Sequence, residues 1–440
     1  MKRTTLLSAA TPLAVAAAAI LAVGDLNPPA GAVTATGKRL TELEPRIPIG
    51  ATTTPGDADS TFRITTSGSY YLTGNVTGEA AKKGIEIISS GQLITIDLNG
   101  FTLQGTGASS TQPAIYVDGL FSHVVVRNGL LRGWRQGIQH AIGGTMAVED
   151  VVAQSSLLAQ FELKNATVVR CRAESGAGIG FNADNSTFVD CAAFSNASTG
   201  FRAINTACST TRCLARANTG AGYDLLQGVA NDCVADGNGS IGFNGASQIL
   251  GCSALDNLGD GASLSFSGSI LNSIFDGNGG DGIQISQNTR IEGCTVSVSG
   301  RHGINVIAGN NSIVGNTVAT SARSTGAFAG IFVAGNDNTI DGNHVSNVLL
   351  GGDDFGIQVT GTSLPPHGFS GHPVATRSHG FRRCFDDREE EATARNRISA
   401  GRPEADRRRS GARTGSVLVA SEDGGRAAGP ARRGPRLALS

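Results

Sequence analysis

From about residue 84 to residue 362 the chain alternates short apolar runs with turn-forming residues. After Gly282, Ile283 and Ile285 flank Gln284; after Gly303, Ile304 and Val306 flank Asn305. Runs of this length and period two are short β-strands with one face inward and one outward. No segment carries a helical stripe. The turns between runs keep returning as close variants: AFSNASTGFRA at 193–203, ARANTGAGYDL at 215–225, ADGNGSIGFNG at 235–245 and FDGNGGDGIQI at 275–285. They hold too many Gly, Asn and Asp for a helix.

Aligning the runs on their opening glycines gives Gly178, Gly200, Gly222, Gly242, Gly261, Gly282 and Gly303, then Gly330 and Gly356. A second column holds Cys171, Cys191, Cys213, Cys233, Cys252, Ser273 and Cys294, continued by Asn316 and Asn343. A third holds Asn196, Asn218, Asn238, Asn257 and Asn278. The rigid unit is Cys-x4-Asn-x3-Gly, and length varies between each glycine and the next column. A period near 20 built from short β-runs predicts a solenoid of stacked coils. Like then stacks on like. The position after each glycine gives Ile179, Phe201, Tyr223, Phe243, Ala262, Ile283, Ile304, Ile331 and Ile357. The position two after each column Cys gives Ala173, Ala193, Ala215, Ala235, Ala254, Phe275, Val296, Val318 and Val345. The Asn column is expected to bond amide to amide along the axis, and the glycine to supply a backbone conformation closed to other residues.

TIDLNGFTLQG (95–105), GIQISQNTRIEGCTVSVSGRHGINV (282–306) and NNSIVGNTVATS (310–321) resemble right-handed parallel β-helix proteins of the pectate-lyase-like superfamily, over roughly 60–362. The resemblance implies an all-β fold, a right-handed parallel β-helix with about 20–22 residues per coil. For function it implies engagement of a polysaccharide, leaving two alternatives open. One is a non-catalytic structural or adhesion solenoid. The other is a lyase, hydrolase or epimerase of acidic polysaccharide, with Ca2+ as a cofactor only in the lyase case; otherwise no cofactor or metal is expected.

Candidate chemistry falls in four places. The Cys column offers metal or redox chemistry, but a line of thiols does not enclose an ion as a four-ligand site does, so packed free thiols are expected. Before four of these cysteines stand Arg170, Asp190, Arg212 and Asp232, an outward row of alternating charge. Asp and Arg there match the calcium ligands and arginine base that the resemblance implies for lyases; a salt ladder holding register is the structural alternative. Asp353 and Asp354 form a pair like that of pectin-cleaving hydrolases, without the accompanying His and Arg-x-Lys motifs. Outward positions after the repeat glycines hold Arg202, Asp224, Asn244, Ser263, Gln284, Asn305 and Gln358, a polar strip suited to an extended glycan; Arg202, Asp224, Asn244, Gln284 and Asn305 are the substrate-binding candidates. His302, beside Arg301, is expected to be solvated.

Composition adds limits. Lys and Arg total 35 against 36 Asp and Glu, so nothing suggests a nucleic-acid partner. Lys2 and Arg3 precede an apolar run from about Leu13 to Val23, read as a secretory signal within 1–32, cleaved after Gly24 or Ala32. The expected location is therefore secreted or cell-envelope, with no membrane span after signal removal. Residues 33–57 read as a linker, 58–83 as an N-terminal cap and 84–362 as the β-helix. Segment 363–440 has no lysine and half of the chain's arginines. It reads as a non-repeat tail, disordered or translated out of frame, with a basic anion-binding tail as a further alternative. The sequence does not give the oligomeric state.

Overall fold

The computed structural model describes residues 45–360, except 89–90, 121, 142, 204, 266, 320, 322–327 and 347–354, together with 370–371 and 374–376. The chain winds as a right-handed parallel β-helix, and its named strands pair in parallel between coils. One coil shows the plan: strands Thr187–Val189, Ala192–Phe194 and Phe201–Ala203. The first two belong to a 26-stranded sheet folded between them; the third belongs to a 15-stranded sheet. These are called the large and small sheets below.

The fold in the large sheet is a single left-handed residue, Asp190 with φ 55°; Ser195, just past the second strand, is also left-handed with φ 51°. The column containing Asp190 also holds Asp150, Arg170, Arg212 and Asp232, all between 51° and 54°, then Gly251, Asn272 and Gly293. Asp, Asn and Gly tolerate this region best, which is why they dominate the column. The charged row is thus the hinge of the coils that carry it, and Gly or Asn takes the same place further on.

Between the sheets lie the columns. Asn196 Nδ2 donates to Asn218 Oδ1 at 3.0 Å, and the Asn196 backbone N–H donates to the same oxygen at 3.1 Å. The other Nδ2 proton goes to the Ala173 carbonyl at 3.1 Å. The same bonds recur from Asn218 to Asn238, Asn238 to Asn257 and Asn257 to Asn278. Each inner amide is fully satisfied although buried, as dry interiors require. The Cys column is buried and its thiols are free. Cys171 Sγ donates to the Val148 and Val169 carbonyls, both at 3.4 Å. Burial pushes the Cys294 thiol up to about 11. Cys208, outside the column, is also buried; Cys384 lies outside the described residues. The rings of Phe161, Phe181, Phe201, Tyr223 and Phe243 stack with centroids 4.7–5.0 Å apart and planes within 9°. That spacing is the distance between strands, so register imposes the stack.

Four expectations change. The first repeat glycine is Gly180, not Gly178: Phe181 pairs with Phe201, and Ile179 is half-buried in the turn. The repeat glycines are required by space rather than by dihedral. A Cβ on Gly222 would stand 2.8 Å from the Gly242 carbonyl oxygen and 3.0 Å from Asn238 Nδ2. Pairing starts earlier than the repeat implies. Ile47–Pro48 pairs with Gly68–Tyr71, and Ser60–Ile64 with Lys83–Ile87, so 58–83 is already coiled. The turn before it closes on itself, with Asp57 Oδ1 accepting the Asp59 and Ser60 N–H groups. Pairing also runs past 362: Ser370–Gly371 joins His344–Ser346, and Val374–Thr376 joins Phe355–Val359. The other residues of 363–440 lie outside the described set.

Two substitutions test this account. Asn238→Ala strands the Asn218 N–H, its amide and the Ala215 carbonyl; at about 1–3 kcal/mol per orphaned group, unfolding free energy should fall by roughly 3 kcal/mol or more. Gly222→Ala should lose about 1–3 kcal/mol through overpacking. Denaturant midpoints read both.

Candidate functional site on the outer face of the small sheet

Register places the polar strip on one line. Glu162 pairs with Asn182, Asn182 with Arg202, Arg202 with Asp224 and Asp224 with Asn244. Asn244 pairs with Ser263, Ser263 with Gln284, Gln284 with Asn305, Asn305 with Phe332 and Phe332 with Gln358. At about 4.8 Å per strand, the line runs roughly 40 Å along the axis. The five substrate-binding candidates lie on it, with Asn244 Nδ2 donating to Asp224 Oδ1 at 3.1 Å.

Near one end of this line the adjoining turn carries a second ladder. Asp260 Oδ1 accepts the Asp281 N–H at 2.8 Å, Asp281 Oδ1 accepts the His302 N–H at 3.0 Å, and His302 Nδ1 accepts the Ala329 N–H at 2.9 Å. Each side chain receives the amide of the next coil, as in the Asn column. Arg301 offsets the charge, donating from Nη2 to Asp260 Oδ1 at 2.7 Å with Nε 3.6 Å from Asp281. Asp281 Oδ2 accepts from Asn305 Nδ2 at 2.7 Å, which ties the turn to the strip. The Asn305 Oδ1 atom is buried and has no hydrogen-bond partner among the described residues.

His302 is not solvated as its sequence context implies. Its ring stacks on Phe332 at 4.7 Å and meets Phe328 edge-on at 5.1 Å. Because Nδ1 accepts a bond, the proton sits on Nε2. Desolvation holds its pKa down at about 4. The Asp281 carboxyl is raised, chiefly by burial. The cluster joins a guanidinium that is 45 % exposed, two amides and a half-buried ring, Phe332.

The charged row behaves differently. Arg170 grips Asp150 with two bonds of 2.7 Å, and Arg212 grips Asp190 with bonds of 2.7 and 3.0 Å. Both carboxyls are held below their usual range by these bonds. The row is two exposed bidentate pairs, with Asp232 acting on Arg212 only through its charge. Asp150 escapes sequence reasoning because Val151 stands where the Cys would mark its column. Among the described residues no three His, Cys, Asp or Glu side chains could share a metal ion. Asp353 and Asp354 lie outside the described residues.

No protein-family model matches the chain, and no curated protein matches it. Solved structures do. The Azotobacter vinelandii mannuronan C-5 epimerase AlgE4 A-module is 13 % identical, over 67 % of this chain and 89 % of that one, with a TM-score of 0.39. The Siphovirus 9NA tailspike receptor binding domain is 11 % identical, over 74 % of each chain, with a TM-score of 0.38. A variant of the periplasmic alginate epimerase AlgG is 12 % identical, over 77 % of this chain and 83 % of that one, at 0.37. Likeness this distant says nothing about substrate or activity, and the fold stands on the strand pairing itself. Among the described residues no helix is long and apolar enough to cross a membrane.

The ladder carries a pH signature. His302 has a folded pKa of about 4 against an ordinary 6.5, so between those values the unfolded chain binds the extra proton. Stability should therefore fall as pH drops from about 6.5 to 4. Asp281, raised, contributes with the opposite sign as pH rises through its folded value. Thermal midpoints across pH 4–7 should show a smaller acid loss in His302→Gln than in the native chain.

Proposed function

We propose that the chain binds an extended polysaccharide along the outer strip of the small sheet, with its main subsite at Gln284, Arg301, Asn305 and Phe332. The observation that carries this is the line of polar and charged side chains, interrupted by the buried Ser263 and joined by Phe332, that the coils hold in register. Amides and a guanidinium can share hydrogen bonds with sugar hydroxyls or carboxylates, and a half-buried ring can lie against a sugar face. The proposed setting is extracellular or at the cell envelope, from the Lys2–Arg3 start and the apolar run after it.

Enzymatic action is the second reading, favoured by the raised Asp281 carboxyl beside Asp260 and Arg301. Its geometry weakens it. Asp281 is fully buried, and its oxygens are taken by the His302 N–H and the Asn305 amide. A general acid or base must come within hydrogen-bond reach of the substrate proton, and this carboxyl is turned to structural use. Binding without turnover is the function the site supports best.

A panel of acidic and neutral glycans, scored for both binding and unsaturated product, tests the two readings together. Phe332→Ala should weaken binding of the selected glycan about tenfold or more, some 1.4 kcal/mol. Arg212→Ala, in the hinge pairs, should leave it unchanged. No product should accumulate. Equal losses in both variants would place binding elsewhere, and product formation abolished by Asp281→Asn would establish the enzyme.

A further inference from the structure

Cys171, Cys191, Cys213, Cys233 and Cys252 stand on five successive coils, interrupted by Ser273 before Cys294. All point inward, are buried and are free. Strand register sets each cysteine side by side with the next, about 4.8 Å apart along the axis. The Cys213 N–H donates to Cys233 Sγ at 3.5 Å and the Cys233 N–H to Cys252 Sγ at 3.4 Å. Cys233 and Cys252 thus each turn a sulfur lone pair toward the preceding coil.

We propose that this column holds soft, two-coordinate monovalent cations of the Cu(I) class, each between the sulfurs of two successive coils. Two metal–sulfur bonds in line, each taken at the zinc–thiolate length of about 2.3 Å, span ~4.6 Å, close to the strand spacing of about 4.8 Å. A linear ion therefore fits the existing register with little backbone movement. A tetrahedral ion does not, because a single column cannot converge four ligands. Thiolate softness selects Cu(I) over harder ions. As each ion enters, both thiols of the pair give up their protons to the refolding buffer, because cysteine ligates as the thiolate. Each site then carries one net negative charge, offset in part by backbone donors such as the Cys213 and Cys233 N–H groups on the column sulfurs.

Pairing along a line gives a parity rule. Five contiguous sulfurs make two sites with one sulfur left over. Removing Cys213 leaves two intact neighbouring pairs, whereas removing Cys233 leaves one site and a lone Cys252. Replacing Ser273 joins Cys294 to the run and makes three sites.

The test uses the full chain carrying Cys208→Ser and Cys384→Ser, so that only column thiols remain. The reduced chain is refolded without oxygen in the presence of Cu(I) buffered by a competing chelator. It is then stripped of loose metal and weighed by native mass spectrometry, with circular dichroism to confirm the β-fold. The expected counts are two ions for this background, two with Cys213→Ser, one with Cys233→Ser and three with Ser273→Cys. Zn(II) in place of Cu(I) should leave none. Native Ser273 shows that the column accommodates serine. The proposal is overturned if the folded chain retains no copper, if it holds more ions than sulfur pairs, or if Cys213→Ser and Cys233→Ser lose the same number.

Discussion

In a stack of coils, a buried polar group finds its partner on the next coil. That constraint fixes the register of the whole molecule. Asn238 illustrates it: its Oδ1 takes two donors from Asn218, and its Nδ2 reaches Asn257 and Ala215. A coil displaced by one residue would turn these amides out and strand several donors at once. The thiol column and the ring stack repeat the same spacing with weaker contacts, so they follow the register that the amides set.

The outer strip inherits that order. Side chains from Glu162 to Gln358 form a line because the inner columns hold every third strand opposite its neighbour. The Asp260–Asp281–His302 ladder extends the principle to a turn, using carboxylates and an imidazole as acceptors where the Asn column uses amides. It ties Asn305 to the turn and stacks His302 against Phe332, so the half-buried ring of Phe332 stands beside the strip. The charged hinge row serves geometry. Asp suits a left-handed bend, and an Arg placed there gains a bidentate carboxylate partner on the preceding coil.

Much of this was legible in the sequence, because a column is a period and a period is visible without a structure. The Cys and Asn columns lie where spacing puts them, and so do the inward apolar columns apart from the first coil. The first coil slipped because GAGIGF offers two glycines, each followed by an apolar residue. Only the nine-residue distance from Cys171 and the stacking of Phe181 on Phe201 choose Gly180. The N-terminal coils were obscure for a different reason. Strands Ser122–Arg132 and Gly144–Gln154 run 11 residues through their bends at Asn128 and Asp150, so no turn punctuates them. Within the site, Gln284 and Asn305 show as polar residues between apolar ones. Phe332 is hidden in the run Ile331-Phe332-Val333, where an outward ring cannot be told from a core residue. The burial of His302 depends on Phe328 and Phe332, nearly thirty positions onward, a contact that periodicity alone does not encode.

The central claim is that the outer strip of the small sheet is the working face, and side-chain footprinting measures this most directly. Hydroxyl-radical oxidation of the chain, free and saturated with the glycan it binds, compares Phe332 on the strip with Ile274 on the outer face of the large sheet, which is 48 % exposed. The account predicts that bound glycan lowers oxidation of Phe332 and leaves Ile274 unchanged. Protection of Ile274 with Phe332 unaffected would contradict it.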